Sequence, residues 1–304
     1  MSQELTKRIL FGVVAAPIAI AILIIGSWPL AGLLAITSAI AASEFNGIAR
    51  AAGLAPLDIG VTIAGLIPLA VFARYLGIYG PQSSAGPLSI AVLVVLAVFA
   101  AGIWARGANG KPLAAVAATV AGVIYTGGTL SYAYAIRYHE YAFAPASLSL
   151  GHRAVSLPSG GLLLLLPVLL AWSSDIGAYA FGRMLGRHKL IPSVSPGKTV
   201  EGAIGGLVAA MLVAWVYTDT ILRPAAHLGF RVAPVGVLVF GALVSAVAQL
   251  GDLVESLLKR DAGVKDSSHI IPGHGGVLDR CDSLLFVLPF SYAVLGLMLT
   301  WAPS

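Results

Sequence analysis

The stretch DLVESLLKRDAGVKDSSHIIPGHGGVLDRCDS, residues 252–283, decides how the rest of the chain is organised. The chain has 13 acidic residues, and six of them fall in this stretch among lysines and arginines. These acids are Asp252, Glu255, Asp261, Asp266, Asp279 and Asp282. The sequence on either side is apolar. A charged island between two apolar runs indicates a polar site held at a membrane surface.

Composition places the whole chain in a membrane. The chain is 58% hydrophobic and 10% charged, whereas a soluble domain carries about 25% charged residues. We therefore predict an all-α fold, a polytopic transmembrane helix bundle of about nine helices. A length of 304 residues suits one such bundle. The single cysteine, Cys281, excludes an internal disulfide.

Nine apolar runs are long enough, or nearly so, to cross a bilayer. They are 9–26, 28–43, 57–73, 86–105, 112–136, 160–182, 200–222, 233–251 and 281–301. The first is interpreted as an uncleaved helix, because no clear cleavage site with a polar segment follows it. The second is short, and the fifth is long, with Gly127 and Gly128 predicting a tilt or an irregularity. We divide the chain into N-terminal helices over 1–140 and catalytic helices over 159–304, within one integrated membrane domain.

The distribution of basic residues predicts the orientation. With the N-terminus in the cytoplasm, 13 of the 18 lysines and arginines lie on the inner side and 5 on the outer side. The loops 183–199 and 252–280, which are rich in polar residues, then both face the cytoplasm. The outer loop 137–158 also carries titratable residues. We interpret it as a solvated connector, and a second site there stays open.

Asp175 is an acid inside an apolar helix. It lies eight positions before Arg183, so it sits about 12 Å from the helix end. An acid at that depth is costly unless it is paired or faces a wet cavity. Two interpretations follow: a structural acid capped by a neighbouring helix, or a polar group that lines a hydrophilic pocket.

The segment SPGKT, residues 195–199, superficially resembles a phosphate-binding P-loop. That motif requires glycine at position 192, which is Pro192 here, and we expect no strand before the segment. We instead predict a turn that opens a helix, with Ser195 or Thr199 as the N-cap. Free amide groups at this helix end, together with Lys198, favour an anion such as phosphate. A plain turn at the membrane edge is the alternative.

The spacing within residues 252–283 predicts that carboxylates from two helices converge. If the eighth helix continues through residue 258, Asp252, Glu255, Ser256 and Lys259 share one face. Asp279 begins the ninth helix. The glycine- and proline-rich segment between the helices is a loop that brings their ends together.

Carboxylates without thiolates suit a hard cation such as Mg²⁺, and the lysines and arginines beside them suit phosphate oxygens. A phosphate substrate with Mg²⁺ is the simplest chemistry that needs both. His269 and His274 have no zinc-like spacing, and a structural role for them stays open. A purely topology-setting loop would not need so many acids.

The stretch resembles the signature of the phosphatidate cytidylyltransferases, the CDP-diacylglycerol synthases. The matching residues are Ser256, Leu258, Lys259-Arg260, Lys265-Asp266, Ser268, Ile271-Pro272, His274-Gly275-Gly276 and Asp279-Arg280-Cys281-Asp282. Cys281 departs from the family's aliphatic residue or threonine, at a packing position. Residues 175–183 and 195–202 are also similar to the family, with Gly197 and Val200 in place of a common lysine and tryptophan. The close match covers about the last 130 residues, whereas the N-terminal helices resemble the family only in hydropathy.

The resemblance implies that CTP and phosphatidic acid give CDP-diacylglycerol and pyrophosphate in phospholipid biosynthesis. It implies Mg²⁺, either as two divalent ions or as one with a monovalent ion. The implied catalytic residues are Asp252, Asp279, Lys198 and Asp282, of which the three aspartates hold metal. The implied substrate-binding residues are Ser195, Thr199, Lys259, Arg260, Lys265, His274, Arg280 and Asp175.

The expected partners are CTP, phosphatidic acid and membrane lipid, with no nucleic acid and with a homodimer left open. We expect a multi-pass protein of a bacterial inner membrane whose active site faces the cytoplasm. A relative that uses another lipid phosphate or an isoprenoid acceptor is the nearest alternative. A transporter would place its charges near mid-membrane and often shows inverted halves. A scaffolding protein would explain neither acid cluster.

Overall fold

A computed structural model describes residues 15–76, 87–138, 146–150, 153–157, 159–225, 232–270 and 275–300. Within these residues, six helices are long and apolar enough to cross a membrane, and three shorter apolar helices accompany them. The predicted all-α polytopic bundle is confirmed. The helices are α1 (Ala15–Ile25), α2 (Ser27–Ala51), α3 (Ile59–Tyr75), α4 (Pro87–Arg106), α5 (Pro112–Val123), α6 (Tyr132–Tyr138), α7 (Ser159–Leu185), α8 (Val200–Tyr217), α9 (Arg223–Ala225), α10 (Pro234–Asp261) and α11 (Leu278–Thr300).

The predicted spans agree with the described helices except at the second and the eighth. The eighth run ends at residue 251, whereas α10 continues to Asp261. The second run ends at residue 43, yet α2 continues to Ala51 and has 25 residues, so the expectation of a short helix was wrong. The irregular fifth span is confirmed, because α5 continues into a π-helical segment, Ile124–Gly128. A second π-helical segment, Thr218–Leu222, follows α8.

Two small antiparallel hairpins accompany the helices. Strands β1 (Ala146–Leu150) and β2 (Arg153–Leu157) form the first, and β3 (Lys189–Ile191) and β4 (Ser195–Thr199) form the second. The expectation of a turn with no strand before it was therefore wrong, since β3 precedes the SPGKT segment and the segment is itself β4. The backbone is extended there up to Thr199, where φ is −129° and ψ is 156°, and the helix follows at once.

The chain forms two compact units. The first contains Ser27–Ser131 and Leu258–Cys281. In its core, Leu57, Val98, Ala115 and Val116 pack together. The backbone N–H of Leu57 donates to the Thr119 hydroxyl at 2.7 Å, so the loop before α3 is fixed to α5.

The second unit contains Ala15–Gly26, Tyr132–Leu257 and the chain from Asp282 on. Here α7 and α8 pack at backbone distance, because a Cβ at Gly177 would lie 2.8 Å from the carbonyl oxygen of Gly205. Small residues permit such close helix packing in membranes. Ser174 on α7 and Ser245 on α10 share a buried hydrogen bond of 2.7 Å. In this unit, α7 therefore packs against both α8 and α10. The predicted division of the chain into N-terminal helices over 1–140 and catalytic helices over 159–304 stays a prediction.

Candidate active site

The second unit contains a cavity of about 460 Å³ that several of the predicted site residues line. It lies beside α7, the β3–β4 hairpin, the start of α8 and the middle of α10. Its walls are formed by Asp175, Ala178, Tyr179, Gly182, Arg183, Leu190, Gly197, Lys198, Thr199, Gly202, Ala203, Gln249 and Asp252. Polar side chains thus converge on one concave surface, as small-molecule sites commonly require.

Lys198 and Asp252 form an ion pair on the wall of this cavity. The Lys198 Nζ lies 2.7 Å from the Asp252 Oδ2, and the two side chains are 26% and 32% exposed. The Ser256 hydroxyl, one helical turn further along α10, lies 3.3 Å from the other carboxylate oxygen. The Lys198 Nζ itself is buried, but both residues line the cavity, so a ligand that enters the cavity can replace either partner.

The position of Lys198 is set by the local structure of the sequence around it. It lies near the end of β4, and Thr199 is the N-cap of α8, since its hydroxyl accepts the N–H of Gly202 at 3.1 Å. The predicted N-cap is therefore confirmed. The N–H of Val200 donates to the carbonyl of His188 at 2.9 Å, so two amide groups of this helix end bind within the protein. The charge of Lys198 favours an anion here, and a contribution from the other amides of the first turn stays a prediction.

Glu201, in the first turn of α8, fixes the hairpin to the helix. Its carboxylate accepts the backbone N–H groups of Arg187 and His188 and lies 2.6 Å from the His188 Nδ1.

Asp175 was predicted to lie inside an apolar helix, with its role left open. The structure places it as an exposed residue on the cavity wall. On the same cavity wall, the Arg183 guanidinium donates to the Tyr179 hydroxyl at 2.9 Å.

A second ion pair, between Lys259 and Asp279, lies in the first unit. The Lys259 Nζ is 2.6 Å from the Asp279 Oδ1, and the side chains are only 13% and 8% exposed. α10 extends to Asp261, beyond the length that the shared face required, and α11 begins at Leu278 as predicted. The pair therefore joins the last turn of α10 to the first turn of α11.

The other oxygen of Asp279 is enclosed by the loop between these helices. Its Oδ2 accepts the backbone N–H and the hydroxyl of Ser267, at 3.0 and 2.9 Å, and the N–H of Gly276, at 2.8 Å. Gly275 has a φ of +80°, and a Cβ there would lie 2.6 Å from the same oxygen. The Gly-Gly pair of the signature is thus explained by the carboxylate that the loop surrounds.

The remaining predicted residues have varied surroundings. Arg260, Lys265 and Arg280 are exposed, and Ser195 is half-buried on β4. Asp282 accepts the backbone N–H of Ser283 at 2.6 Å. His274, together with Ile271 and Pro272, lies outside the described residues. The convergence of Asp252 with Asp279 stays a prediction.

Sequence reasoning missed Glu44 on α2, whose side chain is buried at 4% exposure. Its carboxylate accepts hydrogen bonds from Ser267, Ser268, Val277 and Leu278, all in or next to the loop around Asp279. An acid within an otherwise apolar helical run is the signal that marks such a residue. The apolar run was instead ended just before it.

Comparison with known proteins places these residues in a family. The model of the cytidylyltransferase family matches residues 6–298. The phosphatidate cytidylyltransferase of Synechocystis sp. is 32% identical over 305 residues, which are 97% of each chain. That of Haemophilus influenzae is 48% identical over 138 residues, 44% of this chain and 46% of its own. That of Bacillus subtilis is 49% identical over 126 residues, 41% of this chain and 44% of its own. The resemblance carried by the signature is confirmed, and the chain belongs to the cytidylyltransferase family.

Proposed function

We propose that this protein is a phosphatidate cytidylyltransferase that makes CDP-diacylglycerol and pyrophosphate from CTP and phosphatidic acid. One observation carries the proposal: in a chain of this family, the cavity-lining pair Lys198–Asp252 offers both a cation and a carboxylate to a ligand. A phosphate substrate accompanied by a metal ion needs both kinds of group.

The reaction joins two polyanions. A phosphate oxygen of phosphatidic acid attacks the α-phosphorus of CTP, a new P–O bond forms, and the bond between the α-phosphorus and the bridging oxygen breaks as pyrophosphate leaves. The attacking phosphate is already anionic, so no strong general base is needed. Electrostatic repulsion between the reactants is then the first barrier.

Cationic side chains lower that barrier. Lys198 faces the cavity of the second unit. Lys259, Arg260 and Lys265 belong to the first unit, and the last two are exposed. We assign these groups to the triphosphate, the lipid phosphate and the departing pyrophosphate, because fixed cations stabilise charge that develops on phosphoryl oxygens. Ser195, Thr199, Arg280 and His274 are assigned to the polar contacts around the substrates, and Asp175 to the cavity wall.

The donor set fits Mg²⁺. The candidate ligands Asp252, Asp279 and Asp282 offer hard oxygen atoms, and an ammonium group already lies within 2.7 Å of two of these carboxylates. Within the described ranges, no three His, Cys, Asp or Glu side chains gather as a metal site. This agrees with Mg²⁺ chemistry, in which one or two carboxylates act together with substrate phosphates. When bound, the ion would neutralise phosphate charge and polarise the α-phosphoryl group.

We also propose the cellular setting. Six helices with the length and apolar character of membrane spans indicate a multi-pass membrane protein. Its relatives named above are bacterial, and the excess of basic residues on one side favours an inner membrane with the site at the cytoplasmic face. CTP would reach such a site from water, and phosphatidic acid from the bilayer. A homodimer is compatible with this arrangement.

The test uses the purified full-length protein in detergent with Mg²⁺, radiolabelled CTP and phosphatidic acid. We expect a labelled lipid that comigrates with CDP-diacylglycerol, together with one equivalent of pyrophosphate. Chelation of divalent ions should abolish both products, and restoring Mg²⁺ should restore them. Parallel reactions with ATP, GTP, UTP and dCTP measure base selectivity, and reactions with an isoprenoid phosphate test the other acceptor. Labelled lipid formed only from the isoprenoid phosphate, or no product under any condition, would overturn the proposal.

A further inference from the structure

Glu44 is a buried carboxylate on α2 that the family signature does not contain. Each of its oxygens accepts one hydroxyl and one backbone N–H. Oε1 accepts the Ser268 hydroxyl at 2.5 Å and the N–H of Val277 at 3.0 Å. Oε2 accepts the Ser267 hydroxyl at 3.1 Å and the N–H of Leu278 at 2.6 Å. Four donors on one buried side chain form a built structural contact rather than an incidental one.

These donors make Glu44 a cap supplied from a distant part of the sequence. Val277 and Leu278 lie at the start of α11, where backbone N–H groups have no partner within the helix. A carboxylate at that end also opposes the positive pole of the helix dipole. Glu44 thereby fixes the first turn of α11, and Asp279 is in that turn.

The contacts of Glu44 continue directly to Asp279. The Ser267 hydroxyl lies 3.1 Å from the Glu44 Oε2 and 2.9 Å from the Asp279 Oδ2, so the two carboxylates share its single proton. A Cβ at Gly276 would lie 2.5 Å from the Glu44 Oε2, and the N–H of the same glycine donates to Asp279. Ser267 and Gly276 therefore lie next to both carboxylates. The position of the Glu44 carboxylate constrains the donors that bind Asp279.

We propose that Glu44 is a positioning residue that orients the Asp279 carboxylate. With Glu44 in place, Ser267 and Gly276 hold the Oδ2 of Asp279, and its Oδ1 contacts the Lys259 Nζ. The proposal deepens the proposed function at the same site, and its catalytic consequence rests on that function. Its structural consequence does not, because it concerns hydrogen bonds in the protein without substrate or metal.

The first measurement is amide hydrogen exchange in the metal-free, full-length protein. Glu44→Gln keeps the size of the side chain but turns an NH₂ group toward backbone donors. We expect faster exchange at Val277 and Leu278, whose acceptor is changed, and also at Ser267 and Gly276, whose acceptor is Asp279. Faster exchange confined to Val277 and Leu278 would mean that Glu44 is only a local cap, and it would overturn the proposal.

The second measurement is steady-state kinetics at saturating Mg²⁺. We expect Glu44→Gln to lower kcat about ten- to a hundredfold, the range that lost hydrogen bonds to a charged group imply, with the KM for CTP within about twofold. Ser268→Ala removes one donor to Glu44 without touching Asp279, and should lower kcat several-fold. The double variant should be little worse than Glu44→Gln alone, since both changes act through one contact. Ser38→Ala, a buried hydroxyl on the same helix, is the matched control.

The outcomes separate this proposal from the proposed function. If the wild-type protein makes no CDP-diacylglycerol but Ser267 and Gly276 exchange faster in Glu44→Gln, the activity is wrong and the positioning role stands. If the wild-type protein is active and Glu44→Gln matches it in kcat and in exchange, the positioning role is wrong. If Glu44→Gln does not fold, Ser268→Ala decides by the same two readouts, and wild-type values there would overturn the proposal.

Discussion

Among the described residues, each compact unit holds a lysine–aspartate pair, and the two pairs differ in how deeply they are buried. Lys198 and Asp252 line an open cavity, and the Ser256 hydroxyl donates a long hydrogen bond of 3.3 Å to the aspartate. Lys259 and Asp279 are nearly buried, and the loop residues Ser267 and Gly276 supply hydrogen bonds to the aspartate. An ammonium and a carboxylate therefore form one contact that a ligand can replace and one contact that belongs to the folded structure.

This difference separates catalysis from stability. An exposed ion pair contributes about 0–1 kcal/mol to folding, because solvent screens it and ordering two long side chains costs entropy. Removing one partner of a buried pair costs about 3–5 kcal/mol, since a charge is left uncompensated. Both aspartates are expected to act on substrate, but only Asp279 should also hold the protein together.

The largest expected effect is on activity, and it tests whether the two aspartates are alike in catalysis. Asp252→Asn and Asp279→Asn should each lower kcat at least about a thousandfold, because each removes a charged oxygen that the metal ion and substrates require. The measurement is CDP-diacylglycerol formation from labelled CTP over a range of Mg²⁺ concentrations. Retained activity in both variants would remove the metal assignment.

The same two variants should differ in stability. Asn at position 252 replaces one side of a half-buried pair that borders the cavity, so the unfolding free energy should change by only about 1 kcal/mol. Asn at position 279 leaves the buried Lys259 ammonium without its carboxylate and brings an NH₂ group near it or near loop donors, so we expect a loss of about 3–5 kcal/mol. Thermal unfolding in detergent measures both, and equal losses would contradict the distinction between the pairs.

Sequence alone gave most of the helices, because an apolar run of about 20 residues is itself the requirement for crossing a bilayer. α2 marks the limit of that reasoning. The predicted run ended at residue 43, directly before Glu44, but the helix continues to Ala51. A hydropathy scale includes the cost of burying Glu44. It contains no information on hydrogen-bond donors that lie 223 to 234 positions away in the chain.

The site shows a similar limit. Helical spacing and the family signature predicted Asp252, Asp279 and the lysines as site residues, because residues at set intervals along a helix share one face. Spacing carries no information on exposure, however, and so it treated the two aspartates as equivalent. Asp279 differs because Ser267 and Gly276 donate hydrogen bonds to it, beside the positive φ of Gly275 and the carboxylate of Glu44. β4 was missed because its pairing with β3 outweighs the turn preference of Pro196 and Gly197.

Replacing the lysine of each pair tests the same difference in burial between the two pairs. Lys259→Met keeps the length of the side chain but leaves the buried Asp279 without its ammonium group, so we expect a loss of about 3–5 kcal/mol in unfolding free energy. Lys198→Met should cost less than about 1 kcal/mol. The measurement is unfolding of both variants by denaturant in the same detergent.

Activity provides the control for these lysine variants. Lys198→Met should lose turnover despite its stability, because the cavity then lacks the cation assigned to phosphate. Lys198→Arg, which keeps the charge, should recover part of that turnover. A Lys198→Met variant that is both stable and fully active would show that the open pair has no part in catalysis.

The smallest expected effect concerns how Lys198 is placed. Thr199→Ala removes the hydroxyl that accepts the N–H of Gly202 at the start of α8, and loss of such a cap costs about 1 kcal/mol. Because the cap follows Lys198 directly, we expect kcat to fall less than tenfold with little change in overall fold. Thr199→Ser keeps the hydroxyl and should retain nearly all stability and turnover. If Thr199→Ala instead lost as much activity as Lys198→Met, the substrate contact assigned to Thr199 would outweigh its role as the helix cap.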